Sequence, residues 1–528
     1  MVHGFETVLA LLVGVCFLAL LARRLGVPAP ALLVVGGLTV ALVPGLPTIH
    51  FDPQLVFLVF VPPLLYRACL LASYRDFRAN LRPILSLGIG HVLFVTIVVG
   101  WVAHRVVPGM PWAAAFALGA VVSPPDVAAA IAFIRRLPFP RRVATILEGE
   151  SMLNDAAAIV AYRVAVAAAV TGTFSLAGAS ARFVVVATGG VAVGLAVGWL
   201  LGLVRRRIHA PEIENTISVL TGYAAYLPAE HLGVSGILAV VATGLYLGRV
   251  GPRFLAADTR VQGFGMWDVV VFALEGLIFI ITGLELRPIL EGLTGTEALV
   301  LARGAAWVSL AVILARIAWV YPAGYLRWIA GWVRAREPVP RWRSLALSSW
   351  AGLRGGDSLV LALAVPAMTD AGTPFPGREA IIAITYAVIL VTLLGQGFTL
   401  GPLLTLLGNR ETGEEERREE VAARLRVSQA ALARLEELAG AEWMHPETLA
   451  HTRDRYDHVA RRVRGRSDGS VDGSEETISA ADRRLLRDLI AVQRTELMRT
   501  RDEGAISDAV MRRVQRELDL EELLLNDD

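Results

Sequence analysis

The sequence predicts an all-α polytopic membrane protein: about thirteen transmembrane helices in inverted repeats, two of them broken and crossing, followed by a helical cytoplasmic tail. Three observations carry this expectation. The 528 residues are 55 % hydrophobic and 19 % charged with a mean hydropathy of +0.56, whereas a soluble chain carries about 25 % charged residues. Apolar runs close to the roughly 20 residues that cross a bilayer follow one another as far as residue 407. The arginines between those runs alternate between the two sides.

The runs fall at 4–22, 28–45, 52–71, 82–103, 111–134, 142–169, 181–204, 213–230, 234–249, 264–286, 298–326, 342–366 and 379–407. The first lacks a basic leader and is followed by Arg23 and Arg24, so it reads as a retained helix rather than a cleaved signal. The fifth is interrupted by Ser123-Pro124-Pro125-Asp126, and the twelfth by three glycines around Arg354 and Asp357. Segments 1–6 and 8–13 form the two repeats, with segment 7 between them. Loops after odd-numbered segments hold 20 arginines, whereas those after even-numbered segments hold only four, Arg105, Arg182, Arg287 and Arg378. The positive-inside rule then places the N-terminus outside and the tail in the cytoplasm. One helix more or fewer in mid-chain would scramble the alternation. Of the arginines within segments, Arg67 and Arg303 lie within snorkelling reach of an interface. Arg163 and Arg316 do the same or tie helices together, and Arg354 sits deeper.

Charge divides the chain near residue 408. Residues 1–408, the transmembrane part, carry +9 and residues 409–528, the tail, carry −7. Helical spacing is evident in the tail at 421–439 and 480–500, with a linker at 466–476. It reads as a solvated regulatory or assembly module, and no motif in it identifies a ligand. All 50 basic residues are arginine, which excludes lysine Schiff-base chemistry. Cys16 and Cys69 lie in or beside apolar segments and offer no disulfide framework or thiolate metal site. No cofactor and no nucleic-acid partner are expected.

Ionisable groups inside a bilayer cost about 2.5–3.5 kcal/mol each and need partners or a task. In segment five the paired prolines remove backbone donors, and the carbonyls they free must line a polar cavity or pack on protein. Asp126 follows directly. Segment six holds Glu148-Gly149-Glu150-Ser151-Met152-Leu153-Asn154-Asp155. At about 100° per residue, Glu150, Ser151, Asn154 and Asp155 share an arc of about 140°, a face of hard oxygen ligands suited to an alkali cation. Arg354 is positioned to neutralise a buried carboxylate, with Glu150 the expected partner. Two interrupted segments, one from each half, point to a transport site between inverted repeats. Glu275, on one face of segment ten with Asp268, is a weaker candidate, and His91 in segment four reads as a packing histidine. If Asp155 binds either a proton or a metal cation, and the site does not cross empty, competition alone couples the two fluxes. Pairing of Glu150 with Arg354 leaves Asp155 as the carrier.

The runs GAVVSPPDVAAAI, RRVATILEGESMLNDAAAIVAYR and WAGLRGGDSL resemble the sodium–proton exchanger branch of the monovalent cation/proton antiporters, and FVPPLLYRA, FIITGLEL and RIAWVYP extend the resemblance across all thirteen segments. The resemblance implies a homodimer in the plasma (inner) membrane, with segments 4–6 and 11–13 forming a core that moves like an elevator against a fixed dimerisation domain. It implies Na+ or Li+ held at Asp155, Asp126 and Ser151, with Asn154 as structural partner of Asp155. Glu150 would pair with Arg354 and, as a further ion-binding residue, hold a water bound to the cation, and the Asn–Asp string is associated with electroneutral one-for-one exchange. Two positions depart from the family. Pro125 replaces a threonine, so only its carbonyl can serve, and Asp357 stands where a small or apolar residue is usual. Asp357 and Glu275 are therefore candidate modulators of cation preference or pH response. Potassium– or calcium–proton exchange is the alternative within the class, and a transport-inactive sensor the alternative outside it. A channel would need a filter motif. A two-aspartate protease has no use for the Asn and the paired Arg.

Overall fold

The computed structural model of the chain describes residues 2–43, 52–126, 129–130, 141–172, 176–208, 210–291, 295–329, 341–407, 412–441 and 444–467, with scattered positions between 485 and 520. The described chain is helical apart from one isolated bridge between Met368 and Pro374. It divides into two compact units, Met1–Asn409 and Arg410–Asp528.

In the first unit the helices are α1 (Val2–Leu25), α2 (Ala29–Ala41), α3 (Pro53–Leu71), α4 (Tyr74–Ala79), α5 (Leu81–Val106), α6 (Trp112–Val121), α7 (Arg141–Thr171) and α8 (Leu176–Arg205). There follow α9 (Pro211–His231), α10 (Gly236–Val250), α11 (Ala257–Leu284), α12 (Leu286–Glu291), α13 (Gly295–Ile329), α14 (Trp342–Trp350), α15 (Gly356–Leu363) and α16 (Arg378–Leu407). Among the described residues eight helical stretches are long and apolar enough to cross a membrane, those of α1, α3, α5, α7, α8, α11 with α12, α13 and α16. The other expected segments are shorter, divided or more polar. Those at 28–45 and 234–249 shrink to α2 and α10. Segments five and twelve are split by their breaks, and α9 opens on Glu212 and Glu214.

Local signals account for several helix starts. Asp52 accepts from the Gln54 N–H at 2.9 Å with Pro53 in the first turn, and Ser235 accepts from the Leu238 N–H at 3.2 Å. Close packing uses glycine where helices touch backbone to backbone. A Cβ at Gly37 would strike the Ile280 carbonyl, and one at Gly283 the Val34 carbonyl, so α2 and α11 meet without side chains between them. Two π-helical turns, Ser86–His91 in α5 and Val391–Gln396 in α16, interrupt otherwise regular helices, and neither leaves a periodicity signal in the sequence.

A hydrophobic cluster of Val95, Leu118, Tyr162, Val312, Leu361 and Ile384, among others, draws together α5, α6, α7, α13, α15 and α16. These are the helices of expected segments 4–6 and 11–13. A second cluster, including Tyr66, Ala225, Val240 and Trp267, joins α3, α9, α10 and α11.

In the second unit, α17 (Thr412–Leu438) and α18 (Pro446–Ser467) pack together, with Arg453 and Glu436 3.3 Å apart. Helical spacing predicts a helix at 421–439, whereas α18 has no counterpart in the expectations: its apolar positions, Leu449, Tyr456, Val459 and Val463, do recur at helical spacing but are few among charged residues. Most of the expected linker at 466–476, and much of the helix at 480–500, lie outside the described residues.

Candidate functional site

Helix α6 ends at Val121, and the chain runs non-helically through Ser123, Pro124, Pro125 and Asp126. Helix α14 ends at Trp350, and the chain is again non-helical until α15 begins at Gly356. The two interruptions lie against each other: the Asp126 N–H donates to the Leu353 carbonyl at 2.7 Å. Gly355 makes the approach possible, because a Cβ there would fall on the Asp126 carboxylate. Asp126 also caps the resumption of helix, its Oδ1 accepting from the Ala129 N–H at 2.9 Å.

Helix α7 passes beside this crossing. Asn154 is fully buried and donates from Nδ2 to the Pro125 carbonyl at 2.7 Å, occupying one of that oxygen's two lone pairs. The amide thus supplies a donor to a backbone break that has lost two of its own. The Asn154 Oδ1 accepts from the Asp155 N–H at 2.7 Å. The half-buried Asp155 faces both Asp126 and Asp357 closely enough to interact electrostatically, and Asp357 likewise faces Asp126. Ser151, one turn before Asp155, is also half-buried. Three carboxylates from three chain segments therefore lie within electrostatic reach of one another, although among the described residues no three of them are grouped closely enough to hold a metal ion by themselves.

Glu150 belongs to a different environment. It is fully buried, and its partner is Arg316 of α13, not Arg354: Nη1 lies 2.6 Å from Oε1 and Nη2 3.0 Å from Oε2. Arg316 Nε also donates to the Ser348 carbonyl at 3.0 Å, and its stem crosses Gly352, where a Cβ would collide with it. Arg354 instead donates from Nε to the Val122 carbonyl at 2.7 Å and from Nη2 to the Ser123 carbonyl at 3.3 Å, with Nη1 on its own Gly352 carbonyl. Its N–H donates to Thr392 Oγ1, within the π turn of α16, at 3.1 Å. The expected Glu150–Arg354 pair is therefore corrected. The break leaves carbonyls such as those of Val122 and Ser123 without helical donors in an apolar interior, the Asp126 N–H having gone to Leu353; the guanidinium nearest them meets that need, while the carboxylate is met from α13 by a bidentate fork.

Sequence reasoning placed Arg316 among arginines that snorkel or tie helices. Its depth was the available signal, since it lies well inside the run 298–326 and too far from either end to reach water. His91 is buried as a packing residue, yet neither ring nitrogen is hydrogen-bonded, and Nδ1 stands 3.9 Å from Glu150 Oε1. Glu275 lies half-buried on α11, and Asp268 is exposed and pairs with Arg67 at 3.4 Å. Arg163 ties α7 to α9 through Glu230 at 3.0 Å. Among the described residues, no three His, Cys, Asp or Glu side chains form a resident metal centre.

The arrangement separates two kinds of charge. A sealed, mutually neutralised pair supports the structure, and beside it stand half-buried carboxylates and a hydroxyl, hard oxygen groups of the type that interact with a small cation or a proton. The family described as sodium/hydrogen exchanger, transmembrane, matches residues 8–406. An uncharacterised Na+/H+ exchanger of Mycobacterium tuberculosis (strain H37Rv) is 36 % identical over 540 residues, covering 100 % of this chain and 97 % of that protein. The sodium, potassium, lithium and rubidium/H+ antiporter of Bacillus subtilis is 34 % identical over 398 residues, 72 % of this chain and 58 % of that one. Among solved structures, the sodium proton antiporter MjNhaP1 from Methanocaldococcus jannaschii at pH 8 shares the fold with a TM-score of 0.62. It is 20 % identical, over 77 % of this chain and 99 % of that chain.

Proposed function

The chain belongs to the sodium/hydrogen exchanger family, and on that footing we propose that it exchanges Na+ or Li+ for H+, one for one, by competition of cation and proton for Asp155. It is a multi-pass membrane protein and a transporter rather than an enzyme. The observation that carries the proposal is the convergence of Asp155, Asp126 and Asp357 at the crossing of two broken helices, with Glu150 already neutralised by Arg316.

In this reading Asp155, Asp126 and Ser151 supply oxygens to the cation, and the Pro125 carbonyl offers its remaining lone pair. Asn154 adds no charge to the site; it holds the break in place. Glu150 supports the site through Arg316 rather than binding the ion. A single carboxylate that holds either cation or proton, and does not cross the membrane empty, makes exchange obligatory and electroneutral. Helices α5–α7 and α13–α16 move together as the elevator core, in a homodimer of thirteen-span subunits in the inner membrane, N-terminus outside and tail in the cytoplasm. Asp357 and Glu275 act as modulators. The Bacillus subtilis relative is named for potassium and rubidium as well as sodium and lithium, which favours broader monovalent selectivity as a second reading.

The test is proton movement from proteoliposomes holding a pH dye, challenged in turn with sodium, lithium, potassium and calcium. Sodium-dependent alkalinisation that disappears in Asp155→Asn is expected. Retention of exchange by that variant would overturn the role of Asp155. A response to potassium alone would keep the mechanism and move the substrate.

A further inference from the structure

A wholly apolar groove of about 310 Å³ runs along the outer face of α5 and α13. The two helices are antiparallel: Gly304 meets Val107 at one end, and the rings of Phe94 and Trp319 lie 5.2 Å apart towards the other. Phe94, Val98 and Val102 form one wall, and Trp307, Leu310 and Leu314 the other. Both rows end in arginine. On α5, positions 98, 102 and 105 follow one helical stripe, as do positions 303, 307, 310 and 314 on α13. Because the helices are antiparallel, Arg105 and Arg303, both exposed, arrive at the same end of the groove. The Arg105 guanidinium lies over the Trp101 ring at 5.1 Å, and Trp101 and Trp307 are both about half exposed.

Any exposed apolar helix face in a bilayer touches lipid, so the groove alone selects nothing. The charges at its mouth do. Arg105 is one of only four arginines in the loops after even-numbered segments, and it and Arg303 stand one helical turn beyond the last lining residues, Val102 and Trp307, at the same end of the groove. Guanidinium groups bind phosphate through paired hydrogen bonds. Tryptophans at that level are suited to the glycerol region, and basic pockets between helices recognise anionic head groups. The dimensions agree: from Arg303 to Leu314 the helix rises about 16 Å, close to one leaflet's half of a hydrocarbon core of about 30 Å.

We infer that the α5–α13 groove binds one anionic phospholipid, its phosphate held by Arg105 and Arg303 and one acyl chain laid between Val102 and Leu314. The site lies on the outer face of the helix group that carries Asp155, and its occupancy is read without reference to which ion is transported.

The test uses the full-length protein in proteoliposomes doped with phosphatidylglycerol carrying a photoreactive acyl chain, or with phosphatidylethanolamine carrying the same chain. Cross-linked peptides are mapped by mass spectrometry. Phosphatidylglycerol is expected to label 94–102 and 307–318 about tenfold more than phosphatidylethanolamine, and R105Q/R303Q to reduce that labelling by about tenfold or more. Ala311→Phe, which keeps both arginines and fills the slot, should lose the labelling as well. The arginines are exposed, so R105Q/R303Q should melt with the parent protein. Equal labelling by the two lipids, or phosphatidylglycerol labelling that survives R105Q/R303Q, would overturn the site and leave Arg105 and Arg303 as general interfacial anchors.

Discussion

Replacing Arg316 with Gln should be among the most destabilising single changes in the membrane unit, and a mutant cycle can establish why. The pair it forms with Glu150 is bidentate, at 2.6 and 3.0 Å, with the two side chains 1 % and 0 % exposed. Taking away one partner strands a buried charge, which costs about 3–5 kcal/mol, whereas taking away both removes the stranded charge with the pair. In a cycle of Glu150→Gln and Arg316→Gln the two losses should therefore fail to add, by about 2–3 kcal/mol. Arg354 provides the internal comparison. It too is buried and near Glu150, but its donors go to the carbonyls of Val122, Ser123 and Gly352. Arg354→Gln should cost about 1–3 kcal/mol for the acceptors it leaves unpaired, with a coupling to Glu150→Gln of about 1 kcal/mol or less. The measurement is chemical unfolding of the purified full-length protein in mixed micelles for the five variants and the parent. A larger coupling of Glu150 to Arg354 than to Arg316 would refute the assignment of partners.

Three further outcomes follow from the crossing and its surroundings. Asn154→Ala removes the donor to the Pro125 carbonyl and should cost about 1–3 kcal/mol by leaving that oxygen unpaired; exchange should fall in proteoliposomes although Asp155 is intact, and unchanged stability and transport would refute the bond's role. Gly355→Ala places a methyl group where the Asp126 carboxylate now lies, so cation-dependent proton movement should be lost while the protein still assembles in the membrane, and normal sodium dependence would contradict the close approach. Arg163→Ala breaks a half-exposed ion pair between α7 and α9 and should change unfolding by about 1 kcal/mol or less; a larger loss in the same unfolding assay would mean that the pair is shielded from water.

Much of this architecture is legible in one dimension because its signals are local. Length and hydropathy mark the long helices, Pro124-Pro125 and the glycines around Arg354 mark where helix cannot continue, and a spacing of four residues places Ser151 and Asp155 together. What fails is the choice among distant partners. Glu150 and Arg316 are 166 positions apart, and sequence offers both Arg316 and Arg354 as long cations within apolar runs. The deciding factor is which acceptors each guanidinium meets on arrival. Arg354 emerges inside the crossing, among carbonyls that the two helix breaks leave without donors, so a second carboxylate is not what it needs. The π turns at 86–91 and 391–396 are equally silent in the sequence, yet both abut the site: Gly88 packs against α7 at Leu153, and Thr392 receives the Arg354 N–H.

The corrected pairing bears on how such a site could move. Glu150 and Arg316 sit on α7 and α13, which contribute to the same hydrophobic cluster as α5, α6, α15 and α16. Arg354 and the carbonyls it serves lie between α6 and α15, within that same set. Displacing this group as a unit breaks neither arrangement, so no buried charge is stranded on the way. The buried Arg205–Glu214 pair, 3.3 Å apart, joins α8 to α9 on the other side. Among the described ion pairs, Arg163–Glu230 runs from α7 to α9 and so from one set to the other, and it is half-exposed. An exposed pair can exchange its partner for water at a cost of about 1 kcal/mol or less, whereas parting a buried one costs several. Of these described ion pairs, the two buried ones therefore each lie within a helix group and the half-exposed Arg163–Glu230 pair lies between groups, an arrangement compatible with the proposed elevator motion.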